Sequence, residues 1–164
     1  MEVQEGLGVS ANTLIERADL SLRTADHMAY VIYPLLKDIK LMKKVIDDLR
    51  STATNIINSL LLNEYNHKRI PYLKDKAQNL ELFKKNSLRF GLTQEEASTL
   101  LTILDLVKKE REGSFEFIRG EKLVIMSNGM RVDTITLGQL KLYLTSLKIT
   151  IQKVKAYLKK EVIL

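Results

Sequence analysis

Apolar residues recur at steps of three and four over most of this chain, and the longest such series runs from Asp38 to Tyr65. Met42, Val45, Ile46, Leu49, Ala53, Ile56, Ile57, Leu60 and Leu61 fall on one side of an α-helix at that spacing. A helix of this length spans about 40 Å, the full height of a small domain. A second series precedes it. Leu14, Ile15, Ala18, Leu22, Ala25, Ala29 and Ile32 form the inward side of a first helix. Asn12 is placed to cap that helix, and Pro34 to end it, because the residue before a proline is pushed out of the α region. Asp38 caps the long helix. The link between the two is short, which makes them antiparallel neighbours. Two helices alone cannot cover stripes this long, so further helices or a second chain must do so.

His67 to Pro71 is the next break, with Arg69-Ile70-Pro71-Tyr72 as a fixed, extended turn. A third helix is expected from about Leu73 to Phe90, with Leu73, Ala77, Leu80 and Phe83 inward and Gly91 as a left-handed stop. Thr93 to Glu96 is a capping box; it opens a fourth helix with Ala97, Leu100, Leu101, Leu104 and Val107 on one side and Gly113 at its close. The pattern then becomes β-like. Asn128-Gly129 stands between two β-prone runs, which predicts a β-hairpin over residues 122–135 with its apolar face on the helices. Phe115 to Ile118 reads equally as a third strand or a single helical turn. Thr136 and Gln139 form a second capping box, and a last helix follows from about Leu137 to Lys160 on the stripe Leu140, Tyr143, Leu144, Leu147, Ile151, Val154 and Leu158.

The expected fold is therefore mainly α. It is one domain over residues 1–164: a five-helix bundle organised on a long antiparallel helix pair, with one β-hairpin packed before the C-terminal helix and a loose N-terminus at residues 1–11. At 164 residues, with 45% hydrophobic and 28% charged, the chain is large enough to bury a full core. The absence of cysteine excludes disulfides, thiolate metal ligands and a thiol nucleophile. The first eleven residues have neither the basic opening nor the apolar centre of a signal peptide, and no apolar run approaches a membrane span. A cytoplasmic protein without membrane contact is expected. Two histidines forty residues apart make a zinc site unexpected, and no Gly-rich loop follows a strand; no cofactor or metal is expected.

The net charge of +6 is unevenly distributed. Residues 1–66 hold 7 basic and 9 acidic side chains, a charge of −2, whereas residues 67–164 hold 19 and 11, a charge of +8. A field of that sign in the second half favours an anionic partner, and RNA or an RNA–protein assembly is the one expected; the same lysines also serve solubility.

Three clusters are candidates for chemistry. Arg23, His27 and Tyr30 share a face of the first helix. An arginine to hold a phosphate and a histidine to move a proton are what metal-independent RNA cleavage needs, with the ribose 2′-hydroxyl as nucleophile. The alternative pairs Arg23 with Asp19 or Asp26 at the surface and leaves His27 at the rim of the core. His67, Lys68 and Arg69 beside Tyr72 could grip a phosphate and stack a base, or could simply be the charged end of a helix. Arg119, Lys122 and Arg131 surround the hairpin, where basic side chains either reach a nucleic acid or guard the sheet edges. Thr52, Thr54, Asn55 and Asn58 in the long helix either set register or a dimer contact, or face water. Asp47-Asp48 and Glu95-Glu96 are neighbours in sequence but point about 100° apart on a helix and do not converge.

A compact helical bundle with two long leading helices and an Arg…His pair resembles the HEPN group of prokaryotic helical proteins; the chain is also similar in general character to short uncharacterised archaeal proteins. Many members of the HEPN group are ribonucleases in which several residues separate the arginine from the histidine; here three do, on the first long helix. The resemblance implies a metal-independent ribonuclease acting through Arg23 and His27. The charge distribution on its own implies a binding module without catalysis. A protein-interaction module, and a homodimer through the first two helices, are the further expectations.

Overall fold

Ser10, not Asn12, starts the first helix: its hydroxyl accepts the Thr13 amide at 3.1 Å. The structure, a computed structural model, describes residues 9–113, 115–127 and 131–163. Helix α1 (Ala11–His27) is not ended by Pro34 either. It widens into a π-helical turn at Met28–Ile32 and returns to α geometry for Tyr33–Leu36. Tyr33 keeps helical dihedrals (φ −58°, ψ −43°), and its amide reaches back five residues to Met28 O. In a regular turn the proline ring would meet the carbonyl four residues earlier; the wider turn takes in both the ring and the missing donor. The helix stops at Lys37, whose left-handed backbone (φ 49°) brings its amide to Tyr33 O at 2.8 Å.

Helix α2 (Ile39–Asn66) is the long central helix, capped as expected by Asp38, which accepts the Lys40 amide at 2.9 Å. Every residue of its predicted stripe is at most 4% exposed. The cover comes from within the chain: α1 lies along it, and helices that follow the next break close the other sides. The long stripe of α2 is therefore covered without a second copy.

Helix α3 (Lys76–Asn86) begins later than Leu73 because Asp75 caps it, accepting the Ala77 and Gln78 amides. It runs out through a 3₁₀ turn (Ser87–Phe90) to Gly91 at φ 80°. Helix α4 (Gln94–Glu112) opens on a complete capping box: Thr93 Oγ1 accepts the Glu96 amide at 3.1 Å, and the Glu96 carboxylate accepts the Thr93 amide at 2.9 Å.

Strands β1 (Phe115–Arg119), β2 (Lys122–Met126) and β3 (Val132–Thr136) form an antiparallel sheet in that order. The segment Phe115 to Ile118 is thus a strand, and the hairpin is part of a three-stranded sheet. The Asn128-Gly129 pair lies outside the described residues; on either side of it Ser127 N donates to Arg131 O at 2.9 Å. Leu123, Ile125 and Ile135 point inward and are buried against the helices. Helix α5 (Leu137–Ile163) follows β3 directly. Its capping box is half made: Thr136 Oγ1 accepts the Gln139 amide, but the Gln139 side chain donates instead to the Tyr143 hydroxyl at 2.7 Å.

Helix α5 runs antiparallel to α1, and the two are held by charge as well as by packing. Lys155 meets Asp19 at 3.0 Å and Glu16 at 3.5 Å, Lys148 meets Asp26 at 2.7 Å, and Lys141 lies 4.6 Å from the centre of the Tyr30 ring. These lysines are seven residues apart, so they form one stripe along α5. Part of the charge asymmetry between the two halves is thereby neutralised inside the molecule.

Candidate nucleic-acid interface

The last turn of α2 carries a charge on its buried side. Glu64 is one helical turn beyond Leu60, and its side chain is 0% exposed. One carboxylate oxygen accepts Arg69 Nε at 2.9 Å and also the Arg89 guanidinium; the other accepts the Tyr157 hydroxyl at 2.7 Å. Arg69 continues to Glu161 at 2.6 Å. His67 Nδ1 sits 2.8 Å from Asn63 O, and its other ring nitrogen lies 3.9 Å from Glu161. Burial and the Glu64 carboxylate push the Tyr157 hydroxyl well above its ordinary range. Burial alone would raise the Glu161 carboxyl, but hydrogen bonds from Arg69 and Tyr157 outweigh it and hold it low. Burial likewise disfavours the Arg69 charge, and the two carboxylates more than restore it.

Of the predicted cluster, then, Arg69 is engaged by two carboxylates and His67 by the Asn63 carbonyl, and both close one end of the bundle. Arg89, Tyr157, Glu64 and Glu161 complete that end without having been expected from the sequence. A signal for one of them was present: a glutamate at the fourth position after Leu60 falls on the apolar stripe, where an uncompensated charge would be costly.

Around this lock the surface is basic. Residues 64–91 and 157–161 hold nine lysines and arginines against four carboxylates, which is five of the six net positive charges of the chain. Lys68 stands exposed in a left-handed conformation (φ 58°). Tyr72 packs edge-on against Tyr65, ring centres 5.4 Å apart. Beside them an open groove of about 550 Å³ is lined by Tyr65, Asn66, Lys68, Arg69, Ile70 and Pro71. This groove can take an anionic chain with Lys68 at its wall.

Arg23 and His27 lie elsewhere, on the outside of α1. Arg23 is paired with Asp19 at 3.0 Å and its side chain is 76% exposed; His27 is exposed. Both line a second open groove, about 450 Å³, together with Asp26, Tyr30 and Lys148. Arg119 and Lys122 face each other across β1 and β2, and Arg131 pairs with Asp133 at 3.4 Å. The polar residues of α2 bond mainly within their own helix, with one contact across to α1. Thr52 donates to Asp48 O, and Asn55 donates to Ser51, whose hydroxyl lies 3.2 Å from that of Ser21 on α1. The adjacent carboxylates diverge as expected. Glu96 is buried and meets Lys153 at 2.6 Å, Glu95 is exposed, and Asp48 meets Lys44 at 2.7 Å. Among the described residues no group of three or more histidines and carboxylates could hold a metal ion, and no helix is long and apolar enough to cross a membrane.

Comparison with known proteins gave no match, whether among protein-family models, curated proteins or solved structures. What the protein does must therefore be read from the chemistry of the chain itself.

Proposed function

We propose that this protein is a non-catalytic binding module for RNA or an RNA–protein assembly. The observation that carries the proposal is the concentration of net charge at one end of the bundle, beside the groove at Tyr65, Asn66 and Lys68. Cations gathered at one end attract a polyanion by releasing its counterions, and an aromatic pair next to them offers a surface for a base. Arg69 belongs to the wall of the groove rather than to the free cations. A cysteine-free chain suits the reducing cytoplasm, where such a partner would be met.

The test is binding of the purified protein to a mixed RNA pool across a salt series, with the RNA inspected afterwards. Affinity is expected to fall steeply between about 50 and about 200 mM salt while the RNA stays intact. A triple variant, Lys68→Gln with Lys159→Gln and Lys160→Gln, is expected to flatten the salt slope, by about 0.7 for each phosphate that it no longer neutralises. Affinity that ignores salt would overturn the proposal.

A second reading, a HEPN-like metal-independent ribonuclease, is supported by one observation: Arg23 and His27 line the same groove. It requires RNA to be cleaved without added metal, and His27→Ala to abolish turnover while binding survives. Cleavage by that variant at the wild-type rate removes it.

A further inference from the structure

The sheet breaks the rule that governs half-buried sheets. One face of an antiparallel sheet packed on a core is apolar and the other is polar. Here Leu123, Ile125 and Ile135 fill the inner face, yet the outer face is apolar as well. Phe115 and Phe117 alternate on β1 with the inward Glu116, whose carboxylate pairs with Lys43 on α2. They are 58% and 37% exposed, with ring centres 5.8 Å apart. The register puts Met126 beside Phe115 and Val132 beside Met126, both open to solvent. At the other end of the same face, Arg119 stands directly opposite Lys122. Among the described residues the outward positions of all three strands include no carboxylate.

Phenylalanine has no polar handle, so two of them exposed side by side on a regular strand are unfavourable unless a partner covers them. An apolar protein surface would have no use for the paired cations, whereas an unpaired nucleic-acid strand matches both ends of the face. Its bases have flat apolar surfaces that stack on aromatic rings. Its phosphates pair with cations such as Arg119 and Lys122, which outnumber the one exposed carboxylate in the turn between them, Glu121. A duplex keeps its bases stacked on each other and presents its backbone and base edges, not the base faces. We infer that the outer face of β1–β2–β3 is a stacking platform for unpaired bases of single-stranded RNA, with Phe115 and Phe117 taking bases and Arg119 and Lys122 holding the backbone. This rests on the proposal that the protein binds RNA, and it adds which form of RNA and a second contact surface. The basic end of the bundle lies at the far end of α5, about 30 Å away along that helix.

The test compares an unstructured, pyrimidine-rich, fluorescein-labelled RNA with a blunt RNA duplex of the same length, both titrated with the full chain. Phe115→Thr combined with Phe117→Thr replaces the rings by β-branched residues that favour a strand and so preserves the sheet, which a thermal melt verifies. This pair is expected to weaken single-strand binding by roughly tenfold or more and to leave duplex binding unchanged. Phe115→Tyr with Phe117→Tyr retains both ring faces and should keep wild-type affinity. Arg119→Gln with Lys122→Gln should lower the salt slope for the single strand without abolishing binding.

Wild-type protein that binds neither RNA would overturn the parent proposal together with the platform. Wild-type protein that binds both RNAs, with the threonine pair unchanged on either, overturns the platform alone. Self-association of the wild type that the threonine pair abolishes, with RNA affinity equal in both, would assign the face to a second copy and likewise overturn it.

Discussion

Among single residues, Glu64 organises three side chains from three parts of the chain. Removing its carboxylate leaves Arg69, Arg89 and Tyr157 without their shared acceptor. Both arginines are partly exposed and can turn to water, so Glu64→Ala is expected at the low end for breaking a buried pair, about 3 kcal/mol. In a chain of this length that is a drop in Tm of roughly 6–12 °C, readable in a thermal melt. Tyr157→Phe removes one hydrogen bond while the ring stays packed on Phe90, and should cost about 1 kcal/mol in urea unfolding. Glu96 gives the pH dependence. Burial alone would raise its carboxyl, but hydrogen bonds from Lys153 and Thr93 hold it below its ordinary value of 4.5. A carboxyl lowered by folding stabilises the protein above its unfolded value, and that contribution is lost as pH falls through the lower folded value. Wild-type stability should therefore hold from neutral pH down to about pH 5 and decline below it. Lys153→Met removes the larger of the two hydrogen-bonding influences that lower Glu96 and leaves Thr93. The variant should therefore be less stable near neutral pH and lose less stability on acidification, a shallower acid limb. Urea midpoints measured across that range check this, and an unchanged acid limb would show that Lys153 does not hold Glu96. The pairing of Arg23 with Asp19 could be read from their spacing of four. The Glu64 cluster could not, since Arg89 and Tyr157 are 25 and 93 residues away.

Among elements, local chemistry was legible where it is carried by neighbours in sequence. Asp38, Gly91 and the Thr93–Glu96 box do what their residue types dictate. The two departures in α1 have a common cause: a cap or a break depends on the whole geometry of a turn. Ser10 offered an equally good capping oxygen two residues before Asn12. Pro34 broke nothing, because a π-turn made room for it. The true stop, Lys37, carries a side chain in a conformation that glycine adopts without strain. Lys37→Gly is accordingly expected to stabilise the protein by about 1 kcal/mol, a rise in Tm of about 2–4 °C. A fall in Tm would mean that the lysine makes a compensating contact. Strand β1 does carry a local signal, in the turn that follows it. Gly120-Glu121 stands between two β-prone runs, with Gly120 at φ 66°, the positive φ that a two-residue hairpin turn requires of its first central residue.

In the molecule as a whole, the basic second half is not simply a free positive surface. Lys148, Lys153 and Lys155 meet Asp26, Glu96, Asp19 and Glu16. Most of the remaining net charge lies at one end, with Arg119 and Lys122 apart from it on the sheet, and the expected steep salt dependence of RNA binding belongs to these groups rather than to the total of +6. The period of the apolar residues was enough to set five helices and the burial of the long central stripe. Cap and breaker residues gave approximate limits, and the Asn128-Gly129 pair between β-prone runs gave a β-hairpin before the last helix. Those features arise from contacts within one or two helical turns or across one tight turn, where sequence distance and spatial distance agree. Which charges are engaged and which are open was settled only in the packed molecule. Packing closed Arg69 onto Glu64 and Glu161, set Arg23 and His27 on one groove, and left two phenylalanines outward on the sheet. A side chain's partners are chosen by the elements that pack beside it, and those elements come from distant parts of the chain.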